Sequence, residues 1–298
     1  MTGRIFLKSL LLTTVCGAAF STGCAVAAKN NGASPPEVKT SAREKNSAAP
    51  NAGKDSPSKK GITFAADSPA ETIRVFYKNL REKKFREAIM MTNLHAAVEN
   101  LSDAEALDLS PDFEALAAQI PAELQISGEI ITENKATVTV KLPDEETGVL
   151  EDKIFNLQRE SGAWVYLMAD AATETAAKRE GKNYFFNLRL EVHHAEAKSM
   201  IERIAKAEIA YFVQNGSVYA DLPALVAQKL LPADAQTADS TGYRYGVATS
   251  SDKKKYTATA EPAVYGKTGK LSYFLQTDDK GKNSGIKSKD NKGMPMKN

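Results

Sequence analysis

The chain has 298 residues, 42% of them apolar and 26% charged, which suits one or two folded domains and excludes a wholly disordered chain. A net charge of +2 is too small to argue for nucleic-acid binding. Both cysteines, Cys16 and Cys24, lie near the N-terminus, so the remainder holds no disulfide, thiol nucleophile or cysteine-based metal site.

Arg4 and Lys8 precede the apolar run LLLTTVCGAAF (Leu10 to Phe20). At about eleven residues it is too short to span a bilayer as an ordinary helix, and it reads as the core of a secretion signal. STGC (Ser21 to Cys24) follows and resembles a bacterial lipobox, with Ser21 where an aliphatic residue is commoner. That resemblance implies a diacylglyceryl anchor on Cys24. Ala25, rather than Asp, after the cysteine implies an outer-membrane destination. Ordinary cleavage after Ala25-Val26-Ala27 is the alternative. Residues 1–27 are read together as the signal with its lipobox Cys24, and cleavage at either site removes Cys16.

Residues 28–66 are rich in Asn, Ser, Ala, Pro, Gly and Lys, with almost nothing large and apolar. Such a composition cannot bury enough surface to offset the entropy of ordering. A disordered tether between membrane and folded part is expected, its lysines able to meet anionic lipid or cell wall.

Folding begins at DSPAETIRVFYKNLREKKFREAIMM. Ser68 caps a helix, Pro69 occupies its first turn, and Ile73, Phe76, Tyr77 and Leu80 recur at helical spacing. Lys83-Lys84 marks a break, and a further helix runs from Asp103 to Gln119. The period then changes to two. ELQISGEIITENKATVTVKLP reads as two strands about Glu133-Asn134, and two more flank the turn Ser161-Gly162.

Helices followed by an antiparallel sheet ending in Gly-x-Trp is a recognisable order. On SPAETIRVFYKNL, FREAI, NKATVTV and SGAWVYL, residues 67–170 resemble the nuclear-transport-factor-2-like (cystatin-like cone) superfamily. The resemblance implies helices packed into the concave face of a curled sheet, around a pocket. Tyr77, Phe85, Phe155, Trp164 and Tyr166 are its candidate walls, and the same residues also read as plain core. Enzymes of this superfamily need a buried Asp or His base. None stands at an inward position of VTVKL, KIFNLQ or AWVYLM.

Residues 171–183 read as a polar linker. Beyond them one long helix carries a broad stripe of Leu190, Ala197, Ile201, Ile204, Ala205, Tyr211 and Phe212, and Asn215-Gly216 ends it. Asp221-Leu222-Pro223 opens a shorter helix. TGYRYGVA, KYTATAEP and the run holding Leu271, Tyr273 and Leu275 alternate as strands. Over residues 199–281 the order Ala207, Tyr211, Gly216, Tyr219, Gly242 to Tyr245, Ala260 to Pro262 and Gly266 to Gly269 resembles the head of type IV pilins and type II secretion pseudopilins. The stretch before it, KREGKNYFFNLRLEVHHAEAK, is far too charged for a pilin membrane helix. Residues 184–281 are therefore read as a helix plus pilin-like head, and 282–298 as a disordered Lys-rich tail.

The adjacent pair His193-His194 points in two directions on a helix and reads as a solvated face rather than a metal site. Lys253-Lys254-Lys255 reads as a solvated turn. No phosphate loop, Ser-His-Asp order or zinc spacing occurs. The expected protein is α+β, non-enzymatic and without cofactor or metal. It is held by Cys24 on the periplasmic side of the bacterial envelope and presents two interaction modules to an envelope partner. The alternatives are a periplasmic small-ligand binder using the cone-like pocket and, further off, a pocket-based isomerase or hydrolase.

Overall fold

The computed structural model describes residues 65–117, 120–144, 147–278 and 281–297. The expected signal, Cys24 and the tether up to residue 64 lie outside the described residues. The fold is α+β, with two four-stranded antiparallel sheets and one long helix.

Helix α1 (Pro69–Arg81) starts where Ser68 accepts a hydrogen bond from the Glu71 amide at 3.1 Å, with Pro in the first turn. Glu129, from the sheet, accepts from the Ala70 amide at 2.8 Å. The helix ends as Lys83 takes a positive φ, and α2 (Phe85–Met90) follows. Helix α3 (Asp103–Ala117) opens with a reciprocal box: Ser102 Oγ accepts from the Glu105 amide while Glu105 accepts from the Ser102 amide.

The first sheet is a meander of β1 (Gln125–Thr132), β2 (Lys135–Pro143), β3 (Leu150–Glu160) and β4 (Ala163–Tyr166). Ser161 and Gly162 both have positive φ, as a tight two-residue hairpin requires. Opposed residues share a face, so Ala136, Leu157 and Tyr166 form one inward row, with Val138 and Phe155 beside it. These residues are buried with Ile73, Phe76, Tyr77 and Leu80 of α1 in a first core.

Residues 171–183 are not a linker. Asp170 caps helix α4 (Ala171–Glu180), accepting from the Thr173 amide at 2.8 Å. Buried Asn93 donates to Ala169 O and Glu174, and accepts from the Ala169 amide. Ala177 is the sole buried residue of α4, so no apolar stripe announces the helix.

Helix α5 (Tyr184–Gln214) has 31 residues, a length of about 46 Å. No helix among the described residues is long and apolar enough to cross a membrane. The helix starts at the expected Tyr184, but its first turns do not pack with the second sheet: Tyr184 and Phe185 are buried in the first core, and Phe186, Leu188 and Val192 pack on it. Ala197, Met200, Ile201 and Ile204 enter a second core. One helix therefore serves both.

The second core lies under β5 (Tyr243–Thr249), β6 (Tyr256–Pro262), β7 (Leu271–Gln276) and β8 (Lys287–Asp290), with the short helix α6 (Leu222–Ala227). The expectation of a disordered tail after Gly281 is corrected here. β8 pairs antiparallel with β7 from Leu271–Asp290 to Phe274–Lys287. Ile286 packs on the second core, and Ser272 donates to Met294 O at 2.8 Å. The pairing satisfies an edge of β7 through backbone groups, and all four β8 side chains are exposed. No apolar alternation could mark it.

Candidate functional site

Where α3, α5 and the turn before β7 meet, a cleft of about 500 Å³ is lined by Leu107, Asp108, Pro111, Asp112, Arg189 and Lys267, among others. Asp108 and Asp112 are four apart on α3 and share a face. Arg189 of α5 is buried between them. Its guanidinium donates to Asp112 from Nε (2.8 Å) and Nη2 (2.6 Å), to Asp108 Oδ2 (2.9 Å) and to Asp108 O (2.8 Å). Lys267 closes the arrangement from the turn with a short ion pair to Asp108.

The two carboxylates differ. Burial raises the Asp112 carboxyl above its usual range against the pull of Arg189. Burial also works on Asp108, but Lys267 and Arg189 outweigh it and hold that carboxyl low. Two carboxylates face two cations, with every charge paired. Neither carboxylate is free to remove a proton from a substrate.

The histidine pair is corrected here. It is not a solvated face but part of the seam between α5 and the second sheet. His193 Nδ1 lies 2.9 Å from Thr241 O. His194 Nε2 accepts from the Lys270 and Leu271 amides at 3.0 and 3.3 Å, which fixes that nitrogen as unprotonated. Burial, and then His193 and Lys270, hold its pKa below the ordinary imidazole value. Tyr273 donates to the His194 carbonyl. The Lys253–Lys255 turn is exposed, and Lys254 donates to Ser217 O at 2.6 Å.

The five candidate pocket residues are all buried. Tyr77, Phe155 and Tyr166 meet edge-on or tilted, with centroids 5.9 Å apart for Tyr77–Phe155 and 5.4 Å for Phe155–Tyr166. Phe85 stacks instead on Phe113, which meets Phe185 of α5. Trp164 lies under Arg159 at 5.6 Å. The rings thus make ring contacts in separate groups: Tyr77, Phe155 and Tyr166 together, and Phe85 with Phe113.

Arg189, Asp108, Asp112 and Lys267 escape periodicity because charges on helices are normally read as solvated. The usable signal is an arginine flanked by Leu188 and Leu190, together with two carboxylates spaced by one turn on another helix. Among the described residues no three of His, Asp or Glu come together as metal ligands. No protein-family model, curated protein or solved structure matches this chain.

Proposed function

We propose that this is a non-enzymatic lipoprotein of the bacterial envelope, anchored through Cys24, whose folded part presents interaction surfaces to an envelope partner. Its first region is of the nuclear-transport-factor-2-like type and its second is a pilin-like head, and among the described residues no helix is long and apolar enough to cross a membrane. The observation that carries the reading is the mutual packing of three buried rings, Tyr77, Phe155 and Tyr166, on the helix-facing side of the first sheet. Rings in contact with one another favour a core over a small-molecule pocket, and so presentation over ligand binding. The paired state of Asp108 and Asp112 supports the non-enzymatic part.

The outer side of the first sheet supports a presented surface. Ile130 and Ile154 are 71% and 66% exposed, on the face where Ile130 opposes Thr137 and Thr139 opposes Ile154. Mass spectrometry of the mature N-terminus tests the anchor. A mature N-terminus at a diacylglyceryl-modified Cys24 is expected, replaced on globomycin treatment by an uncleaved precursor that keeps the modification. An unmodified Ala28 terminus would remove the anchor from the proposal.

A further inference from the structure

A second hollow, of about 450 Å³, lies between α5 and the end of α6, lined by Arg203, Val226, Lys229, Leu230, Leu231, Pro232 and Ala233. Its electrostatics are the reverse of the Arg189 cleft. There, each cation meets a carboxylate. Here the lining holds two cations and no acid, and among the described residues neither the Arg203 nor the Lys229 side chain has a hydrogen-bond or ion-pair partner.

The floor is apolar and anchored. Leu231 is buried in the second core, with Val226 and Leu230 packed against that core. The hollow therefore exists before any ligand arrives. The rim is set by a turn. Leu230 N–H donates to Leu225 O and Lys229 N–H to Val226 O, closing α6 with Lys229 at a φ of +59°. That is the position where glycine is preferred, and here it carries a cation at the mouth of the hollow.

We infer that this hollow binds an aliphatic group ending in a carboxylate. The hydrocarbon would lie on Val226, Leu230, Leu231 and Pro232. The planar fork of Arg203 suits a bidentate carboxylate, and Lys229 adds a second charge. Two sources share this chemistry: a peptide C-terminus with an aliphatic last residue, and a free medium-chain fatty acid. The inference does not depend on how the chain is anchored.

Titration calorimetry on the full chain tests it with four probes: N-acetyl-glycyl-leucine as free acid, the same peptide as C-terminal amide, octanoate and inorganic phosphate. At least one of the two carboxylate probes is expected to bind. If the acid binds, the amide should bind about tenfold more weakly or not at all. Acid without octanoate assigns a chain terminus, and octanoate without acid assigns a fatty acid.

Lys229→Gly is the cleanest variant, because glycine suits the positive φ and the fold is retained. It and Arg203→Ala should each weaken binding about tenfold. Circular dichroism checks that both variants stay folded. The inference is overturned if neither carboxylate probe binds, if acid and amide bind equally, if phosphate binds at least as tightly as either carboxylate, or if Lys229→Gly leaves affinity unchanged.

Discussion

Glu208 is a fully buried carboxyl in the second core. Its Oε2 accepts from the Ala220 amide at 3.0 Å, and its Oε1 has no partner among the described residues. Burial pushes its pKa up from the ordinary 4.5 to about 7, with Asp221 adding to the rise against the Ala220 hydrogen bond. The folded state thus keeps a proton that the unfolded chain releases between those values. The Glu208 contribution to stability is full below pH 4.5 and is lost as pH rises to about 7, by about 3 kcal/mol in total. Urea midpoints taken at about pH 5 and about pH 8 should show the decline, and Glu208→Gln should abolish it. His194 carries the opposite sign. Its pKa is held low and its Nε2 accepts two amides, so its contribution is lost as pH falls below the ordinary 6.5. The Glu208→Gln variant should uncover that acid-side loss.

Two other single positions are under tight constraint. Arg189 bridges two carboxylates in a buried setting, so Arg189→Met leaves Asp112 and Asp108 facing each other without it. A loss of about 3–5 kcal/mol in denaturant unfolding is expected. At Gly269 an added Cβ would lie 2.1 Å from the Tyr243 hydroxyl, itself donating to Leu271 O at 2.8 Å. Tyr243 is fully buried and has nowhere to retreat. Gly269→Ala should therefore cost about 1–3 kcal/mol, while Gly266→Ala, in open space, is strained only by its φ of +80°.

At the scale of elements, legibility followed side-chain pattern. α1, the β1–β2 hairpin and the Ser161-Gly162 turn were readable because their buried residues repeat at 3.6 or 2 with a cap or turn residue at the boundary. α4 and β8 were not. One buries a single alanine, and the other buries nothing and contributes only backbone. β8 still matters to the sheet. Truncation before Ile286 removes a core contact and bares the β7 edge from Leu271 to Phe274. A lower denaturation midpoint and concentration-dependent self-association by light scattering are expected.

At the scale of the molecule, what could not be read was the assembly of the parts. The apolar stripe of α5 gave a helix but not the fact that its two halves belong to different cores. The Arg189 cleft was hidden for the same reason, since its residues come from α3, α5 and the turn at Lys267. Helical sharing predicts joint unfolding. Trp164, the only tryptophan, reports on the first core alone, whereas far-ultraviolet circular dichroism reports on the whole. The two transitions should coincide in the native chain. Ala195→Pro, placed on an exposed position between the cores, breaks the helix at a cost of about 3 kcal/mol or more and should pull the transitions apart.

The continuity of α5 also sets a rule for how this chain can change length. A single residue inserted between Val192 and Ala197 would turn everything beyond it by about 100° about the axis. Arg189 would remain with Asp108 and Asp112, while Ala197, Ile201 and Ile204 would swing away from the sheet they face. Insertions there are tolerable only in sets that restore the angular phase, whereas the connections between strands of either sheet can lengthen one residue at a time. The helix is the molecule's gear tooth: the spacing of the two halves can be altered only in whole steps.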